Sequence, residues 1–476
     1  MASDVRVLAE NTPATRDRYM DLLRVASLGT VVLGHWLMAA VSTDAAGQVQ
    51  LGNLLAEVPQ LQLLTWALQI MPVFFFVGGF SHALSYRSLE RKSDDGSSVY
   101  AAFLRARLQR LLRPTMVFIL VWGAAALLLQ LVGGSPHLAD VTLRLVTQPL
   151  WFIGIYLAMV AFTPPLLKLH ERYGWGAFGG LVAAAAAVDL LRFAAGVPYV
   201  EFLNFAFVWL AVHQLGFLRA DGRLRLPSLL AALGVAGASA LVAFGPYPLS
   251  MVGMPGEKVS NMAPPTFALL CHGLWLVGAV ELVRRPAARW LRKPKVWRTV
   301  VAANGVSMTA FLWHLTAMLG VYGVLLGLDV TLPAPASAAW WAQVPVRVLG
   351  AAVLTAVLVA AFRSFERPAA ARPVGPSPRP VGPSPRPADP SPRPAGVSAR
   401  TGGSGPLAVL GITLCLFGVL GLSMVGYGDL LEGHSAMLIA FRITAPVAVA
   451  MALGGWLLVE RAGRDGAPAR PARAVS

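Results

Sequence analysis

Charged residues are scarce in this sequence: Asp, Glu, Lys and Arg together make up 13% of its 476 residues. A soluble domain carries about a quarter, so most of the chain is not an ordinary soluble fold. Cysteine is scarce as well. Cys271 and Cys415 both lie in apolar runs, so they give no indication of a disulfide framework or a cysteine-ligated metal site. We expect no metal centre.

Long apolar runs are what the sequence has instead. Hydrophobic residues make up 56% of the chain, and the mean hydropathy is +0.62. A run of about 18 or more mainly apolar residues predicts a membrane-spanning helix. The sequence therefore predicts an all-α integral membrane protein. The twelve predicted spans are 22–43, 62–84, 112–132, 149–167, 175–191, 201–218, 227–246, 266–283, 305–328, 344–362, 406–427 and 437–459.

The basic residues indicate an orientation. Lys and Arg outnumber Asp and Glu by 39 to 23 and concentrate in alternate loops between the predicted spans. This arrangement is typical of cytoplasmic loops, whereas a nucleic-acid-binding protein clusters its basic residues on a folded soluble face. No cleavable signal peptide is apparent, because the first apolar run is long enough to stay in the bilayer. We expect a multi-pass plasma-membrane protein with both termini cytoplasmic and no nucleic-acid partner.

A proline-rich stretch divides the chain. The seven residues 372–378 recur at 379–385, and a variant follows at 386–392. Such frequent proline excludes helix and favours an extended polyproline conformation; the stretch is either a spacer or a ligand that docks a partner. The predicted divisions are a cytoplasmic arm at 1–20, a ten-helix domain at 21–365, a cytoplasmic linker at 366–405, a two-helix appendage at 406–460 and a disordered basic tail at 461–476.

The first predicted span carries Arg24 and, eleven positions later, His35. Eleven residues of helix separate them by about 16 Å and return to nearly the same face. An ionisable side chain inside a span is costly and commonly marks a pathway, a partner or a reaction. The alternative is a histidine that neighbouring helices satisfy.

Arg107, Arg110 and Arg113 lie at helical spacing in the basic segment before the third span. They suit a phosphorylated cosubstrate, because the arginine fork matches phosphate oxygens, or they anchor the helix at anionic headgroups.

Several aromatic and polar residues are candidate substrate contacts, each with a structural alternative. Phe75 and Phe80 lie beside paired glycines and could serve helix packing instead. Trp151 at the start of the fourth span could belong to an interfacial aromatic belt, and Asn261 in the long loop before the eighth span could belong to a turn. Trp313 and His314 in the ninth span could belong to the core.

Taken together, these motifs resemble the acyltransferase family 3 integral-membrane acyltransferases, which transfer acyl groups from acyl-CoA to sugars and other hydroxyl acceptors. The resemblance covers roughly residues 16–365, whereas the linker and the last two helices lie outside it. Gly78 departs from a serine common in the family, and no histidine or acidic residue accompanies Trp151-Phe152. The matching motifs are Arg24-x10-His35, Phe74-Phe75-x3-Gly79-Phe80, Arg110-Leu-x-Arg113-Pro114, Trp151-Phe152 and Leu312-Trp313-His314.

The resemblance implies a ten-helix acyltransferase bundle with acyl-CoA as cosubstrate and no permanently bound cofactor. His35 would be the general base, since a neutral histidine suits proton abstraction near pH 7. Arg24 and the three arginines of the basic segment would hold the CoA phosphates. The acceptor would be a hydroxyl of a sugar, a glycolipid or a cell-envelope polysaccharide.

Two other functional classes also fit some of the features. Twelve spans with intramembrane charges describe a transporter or exporter of polar glycans or lipid-linked sugars, but the two halves of the chain show no evident similarity. A membrane scaffold that docks partners through the proline-rich stretch would leave Arg24 and His35 without a purpose. The sequence does not indicate an oligomeric state.

Overall fold

The computed structural model describes residues 2–43, 49–92, 99–132, 142–254, 256–366, 404–428, 430, 435–438 and 441–465. The predicted linker, apart from residues 366, 404 and 405, and residues 466–476 of the predicted tail lie outside this part of the chain. The molecule is 78% helical and contains no closed sheet in its described part. The predicted all-α membrane class is confirmed.

Seventeen α-helices and four short strands are described. The helices are α1 (Ala2–Glu10), α2 (Arg18–Met38), α3 (Leu54–Glu57), α4 (Thr65–Leu68), α5 (Met71–Glu90), α6 (Val99–Val132), α7 (Pro149–Tyr173), α8 (Trp175–Phe193), α9 (Asn204–Ala220), α10 (Pro227–Phe244), α11 (Phe267–Leu282), α12 (Arg284–Trp290), α13 (Pro294–Asn304), α14 (Ser307–Gly327), α15 (Ala338–Phe362), α16 (Ser404–Val425) and α17 (Ala445–Asp465). Antiparallel pairs are formed by β1 (Ala39–Thr43) with β2 (Val49–Asn53) and by β3 (Ser435–Leu438) with β4 (Phe441–Thr444). Three 3₁₀ segments are Pro59–Leu64, Val200–Leu203 and Arg363–Phe365.

Ten of the described helices are long and apolar enough to cross a membrane, or eleven if α11 and α12, which meet at a 49° bend, form one span. Helix α2 is not among them. Its first two turns carry Arg18, Asp21 and Arg24, which lower its mean hydropathy. The predicted twelve spans therefore require α2 to cross as well, and this stays a prediction.

The start of α2 is held by its own capping residue. The Asp17 carboxylate accepts hydrogen bonds from the backbone amides of Tyr19 and Met20, which satisfies two of the free N–H groups at the helix start. Arg16 donates to Asp21 over 2.6 Å. These contacts fix where α2 begins, and α2 then packs against α5, α13 and α14.

Glycine brings α5 and α9 into backbone contact. A Cβ added at Gly79 would lie 2.0 Å from the His213 carbonyl oxygen, and one at Gly216 would lie 2.3 Å from the Phe76 carbonyl oxygen. Small residues at helix interfaces allow such close approach within membranes. The paired glycines of α5 therefore serve helix packing.

The last two helices pack on α6 and α7. The Tyr427 hydroxyl, fully buried, donates to the Ile119 carbonyl over 2.7 Å, and Gln130 donates to the Tyr427 carbonyl over 3.1 Å. Leu420 covers Gly154, since a Cβ at that glycine would lie 2.3 Å from the leucine side chain. Helices α16 and α17, which we call the C-terminal hairpin, are thus joined to the rest of the bundle by close packing.

Candidate active site

A cavity of about 380 Å³ lies where α2, α5, α6, α7 and the start of α14 meet. We call it the Arg24 cavity. One part of its wall is basic, another is apolar, and the start of α14 closes a third side. The lining residues are Arg16, Arg24, Leu28, Phe74, Ser85, Ala106, Arg107, Arg110, Leu111, Phe152, Tyr156, Asn304, Gly305, Ser307, Met308 and Glu366.

Three of the four predicted phosphate-binding arginines meet at this cavity. Arg24 donates to the Ser81 hydroxyl over 3.0 Å, and Arg107 donates to the Ser81 carbonyl over 2.6 Å. The Nε of Arg107 is buried and has no hydrogen-bond partner within the described part of the chain. Arg110 is exposed. The structure does not bring Arg113 to the cavity. Arg113 lies six residues beyond Arg107, which is about 9 Å along the helix and about 120° around it.

Two charged residues frame these arginines. The hydrogen bond to Asp21 raises the pKa of Arg16. Glu366 accepts hydrogen bonds from the backbone amides of Met308 and Thr309 and from the Thr309 hydroxyl, at 2.6 to 3.1 Å. The Glu366 carboxylate is therefore already hydrogen-bonded to the start of α14. Because it is the only acidic side chain among the described residues that line the cavity, the arginines leave the cavity with a surplus of positive charge.

An aromatic wall separates the Arg24 cavity from a pair of histidines. The Phe152 ring lines the cavity and lies 4.9 Å from the Phe311 ring, between centroids. The Phe311 ring lies 5.6 Å from His314, and the His314 ring lies 5.0 Å from His35. Neither histidine is among the residues that line the cavity. The two regions are therefore neighbours across two phenylalanine rings.

The two predicted histidines contact each other. His35 Nδ1 lies 3.1 Å from His314 Nε2, and His314 Nδ1 contacts the Phe311 carbonyl oxygen. Since a carbonyl can only accept, the latter contact assigns the proton of neutral His314 to Nδ1. His314 Nε2 is then an acceptor, and His35 Nδ1 must donate to it. The Nε2 lone pair of His35 is consequently left free to take a proton.

His314 is itself held firmly. It is fully buried, and its backbone carbonyl accepts a hydrogen bond from Trp36 Nε1 over 3.1 Å. His35 is half-buried. Helices α2 and α14 are thus joined by the Trp36 hydrogen bond as well as by the histidine contact.

The other predicted substrate contacts lie in packed regions and do not line the Arg24 cavity. Phe75 is fully buried against Trp209, with 4.8 Å between ring centroids. The Arg219 guanidinium lies 5.6 Å from the Phe80 ring. Trp151 is half-buried and meets the Phe152 ring edge-on at 6.4 Å.

Trp313 and Asn261 also have structural partners. Trp313 stacks on Phe362 with 4.2 Å between ring centroids. Asn261 is fully buried, donates to the Pro248 and Ser250 carbonyls over 2.7 and 2.9 Å, and accepts from the Thr266 hydroxyl over 2.8 Å. It ties together the loop that precedes α11.

Sequence reasoning missed a buried polar cluster behind the cavity. The Tyr156 hydroxyl lies 2.9 Å from His82 Nε2, and His82 Nδ1 lies 3.0 Å from His213 Nε2. Thr163 Oγ1 lies 3.4 Å from the same His82 nitrogen. Both histidines are fully buried. The signal that could have revealed this cluster was His82, an ionisable residue in an apolar run one turn after Gly78.

No group of three or more His, Cys, Asp or Glu residues that could hold a metal ion occurs in the described part of the chain. A family model described as an acyltransferase domain, that of acyltransferase family 3, matches residues 17–363. The chain belongs to acyltransferase family 3. The match confirms the resemblance that the motifs of this membrane acyltransferase indicated. No curated protein and no solved structure matches it.

The match runs from the residue that caps α2 to the end of α15. It includes the histidine pair and every residue that lines the Arg24 cavity except Arg16 and Glu366. The C-terminal hairpin of this family 3 acyltransferase lies beyond the matched residues.

Proposed function

We propose that this acyltransferase moves an acyl group from acyl-CoA, bound from the cytoplasmic side, to a hydroxyl of a sugar, a glycolipid or a cell-envelope polysaccharide. The observation that supports this most directly is the hydrogen-bonded pair of His35 and His314 near a cavity lined by Arg24, Arg107 and Arg110. Such a cavity suits a phosphorylated carrier, and the histidine pair suits proton abstraction from a hydroxyl.

The donor's phosphates would bind at the basic wall. Arginine binds phosphate oxygens through paired, charge-assisted hydrogen bonds, and Arg107 has a buried N–H group without a partner in the described residues. The acyl-pantetheine arm would run along the apolar wall past Leu28 and Phe152. Leu28 and His35 are seven residues apart, hence on nearly the same face of α2 and about 10 Å apart along it.

The reaction would be a direct transfer. His35 Nε2 takes the proton of the acceptor hydroxyl while the acceptor oxygen attacks the thioester carbonyl carbon. The carbon–sulfur bond then breaks, and the CoA sulfur leaves with the proton that His35 returns. The products are an ester of the acceptor and free CoA. His314 accepts from His35 Nδ1 and so orients the base.

The orientation follows from the basic residues. We place the enzyme in the plasma membrane with both termini cytoplasmic, because the loops rich in Lys and Arg then lie inside. The Arg24 cavity would face the compartment in which acyl-CoA is made, and the histidine pair would lie deeper in the bilayer. The acceptor would approach the pair from the outer side.

Replacing His35 tests the proposed base. We expect His35→Ala to lower turnover of labelled acyl-CoA with hydroxyl acceptors by about 10²- to 10⁴-fold, while the protein still inserts into liposomes. His272→Gln is the matched control, because His272 is a fully buried histidine that bonds the Trp66 carbonyl at 2.9 Å, away from the cavity. Near-normal turnover by His35→Ala would contradict the mechanism. Uptake of a glycan without acylation would favour transport instead.

A further inference from the structure

A second, larger cavity lies at the start of α2. Its volume is about 520 Å³, and we call it the Arg285 cavity. Its wall is formed at the start of α2, by Arg219 of α9, and at and just after α12. The lining residues are Ala14, Arg16, Asp17, Arg18, Tyr19, Arg219, Arg284, Arg285, Ala288, Leu291 and Arg292. It shares Arg16 with the Arg24 cavity. Its six arginines are Arg16, Arg18, Arg219, Arg284, Arg285 and Arg292.

The arginines of this cavity outnumber the carboxylates that pair with them. Arg219 forms ion pairs with Glu281 over 3.0 Å and with Asp17 over 3.2 Å. Glu281 also lies 3.6 Å from Arg284. The remaining pair in the cavity joins Arg16 to Asp21. Three carboxylates therefore serve six guanidinium groups.

The other three arginines have no ion-pair partner among the described residues. The Arg18 guanidinium lies 4.8 Å from the Trp297 ring, which occupies one of its faces. Arg285 and Arg292 are exposed. The Arg285 cavity thus carries an uncompensated positive charge, and two of its arginines are free to meet a ligand from solution or from the membrane surface.

The surroundings of the cavity are typical of the membrane–water boundary. Helix α12 turns 49° away from the apolar helix α11. Beside this bend, Leu282, Val283 and Trp290 are about half exposed, at 51%, 53% and 48%. Tryptophan is enriched where the hydrocarbon meets the headgroups. Arginines that flank such a tryptophan suit the level of lipid phosphates.

We propose that the Arg285 cavity binds a phosphate ester, namely the headgroup of an anionic phospholipid. Basic pockets at the cytoplasmic ends of membrane helices bind such headgroups, and paired guanidinium groups match phosphate oxygens. A phosphate held by these arginines neutralises their excess positive charge near the start of α2, the helix that carries Arg24 and His35. The proposal goes beyond acyl transfer and does not depend on it.

Two double variants test the site. Arg285→Gln with Arg292→Gln removes two charges from the cavity. Arg289→Gln with Lys293→Gln removes two charges from the same stretch, but neither residue lines the cavity. All four side chains are exposed, so both variants should fold. Purified full-length protein in neutral detergent is titrated with phosphatidylglycerol, phosphatidylcholine, inorganic phosphate and CoA, and binding is followed by native mass spectrometry.

We expect phosphatidylglycerol to bind more tightly than phosphatidylcholine, and the cavity variant to lose about tenfold or more of that affinity. The control variant should keep it. Equal loss in both variants would overturn the proposal, because it would reflect surface charge alone. If the cavity variant lost CoA binding but kept phosphatidylglycerol binding, the proposal would also be overturned, because the cavity would then bind the phosphates of CoA and not those of a lipid. None of these measurements requires turnover.

Discussion

At the scale of single residues, proton abstraction by His35 depends on which nitrogen of each histidine carries a proton. The Phe311 carbonyl fixes the His314 tautomer, and His314 in turn fixes that of His35. His314 is a positioning residue in this scheme, since it acts on the reaction through its neighbour. Orienting partners of this kind commonly contribute one to two orders of magnitude to activity.

His314→Leu should lower kcat by about 10- to 100-fold, because His35 Nδ1 then loses its acceptor. His314→Gln should recover part of the loss, since an amide oxygen can accept the same hydrogen bond. A pH profile of kcat/KM should also shift in the leucine variant. Equal losses in the two variants, with no change in the pH profile, would indicate that His314 serves packing alone.

Arg110 and Arg113 make a matched pair for the donor-binding proposal. They lie three residues apart on α6, but only Arg110 lines the Arg24 cavity. Arg110→Gln should raise KM for acyl-CoA about tenfold with kcat nearly unchanged, because a phosphate contact made in both ground and transition states is lost. Arg113→Gln should change neither constant. The opposite ranking would contradict phosphate binding at this cavity.

Charged and titratable groups of the candidate site are easier to recognise in the sequence than its aromatic groups. Arg24, His35 and His314 stand out because an ionisable side chain in a span is costly. Phe75 and Trp313 do not distinguish themselves in this way, since aromatic rings serve cores and binding sites alike. The contact between Tyr156 and His82 could not be predicted, because it depends on how α5 and α7 face each other.

At the scale of helices, glycine contacts set the distance between α5 and α9. Helix α5 carries His82 and Ser81, and α9 carries His213, so their spacing governs the polar cluster behind the cavity. The sequence left helix packing open as an alternative to substrate contact at the paired glycines, and it could not identify the partner helix. The predicted third span began at residue 112, whereas the continuous helix α6 begins at Val99 and takes in the basic segment, with Pro114 inside it.

Gly79→Ala should destabilise the protein by about 1–3 kcal/mol, because its Cβ would overlap the His213 carbonyl and force the helices apart. Gly180→Ala in α8 is the control, since nothing lies within 4 Å of its added Cβ. Thermal unfolding of both variants in the same detergent measures the difference. Equal midpoints would contradict tight packing at Gly79.

At the scale of the whole molecule, the two basic cavities adjoin at Arg16, near the start of α2. In the proposed orientation this basic end faces the cytoplasm, where acyl-CoA and anionic headgroups are both available. The C-terminal hairpin lies outside the matched residues but packs on α6, the helix that carries Arg107 and Arg110. Near its end, Glu460 lies 4.0 Å from Arg105. Composition predicted the two apolar helices, but not the surface that they cover.

The most direct test is a structure of the enzyme with a non-hydrolysable acyl-CoA analogue. We expect the CoA phosphates within hydrogen-bond distance of Arg24, Arg107 and Arg110. The carbonyl of the acyl group should lie beside His35 Nε2, with Phe152 or Phe311 displaced to admit it. Phosphate density elsewhere, or an acyl carbonyl that remains on the cavity side of the two rings, would contradict the proposed site.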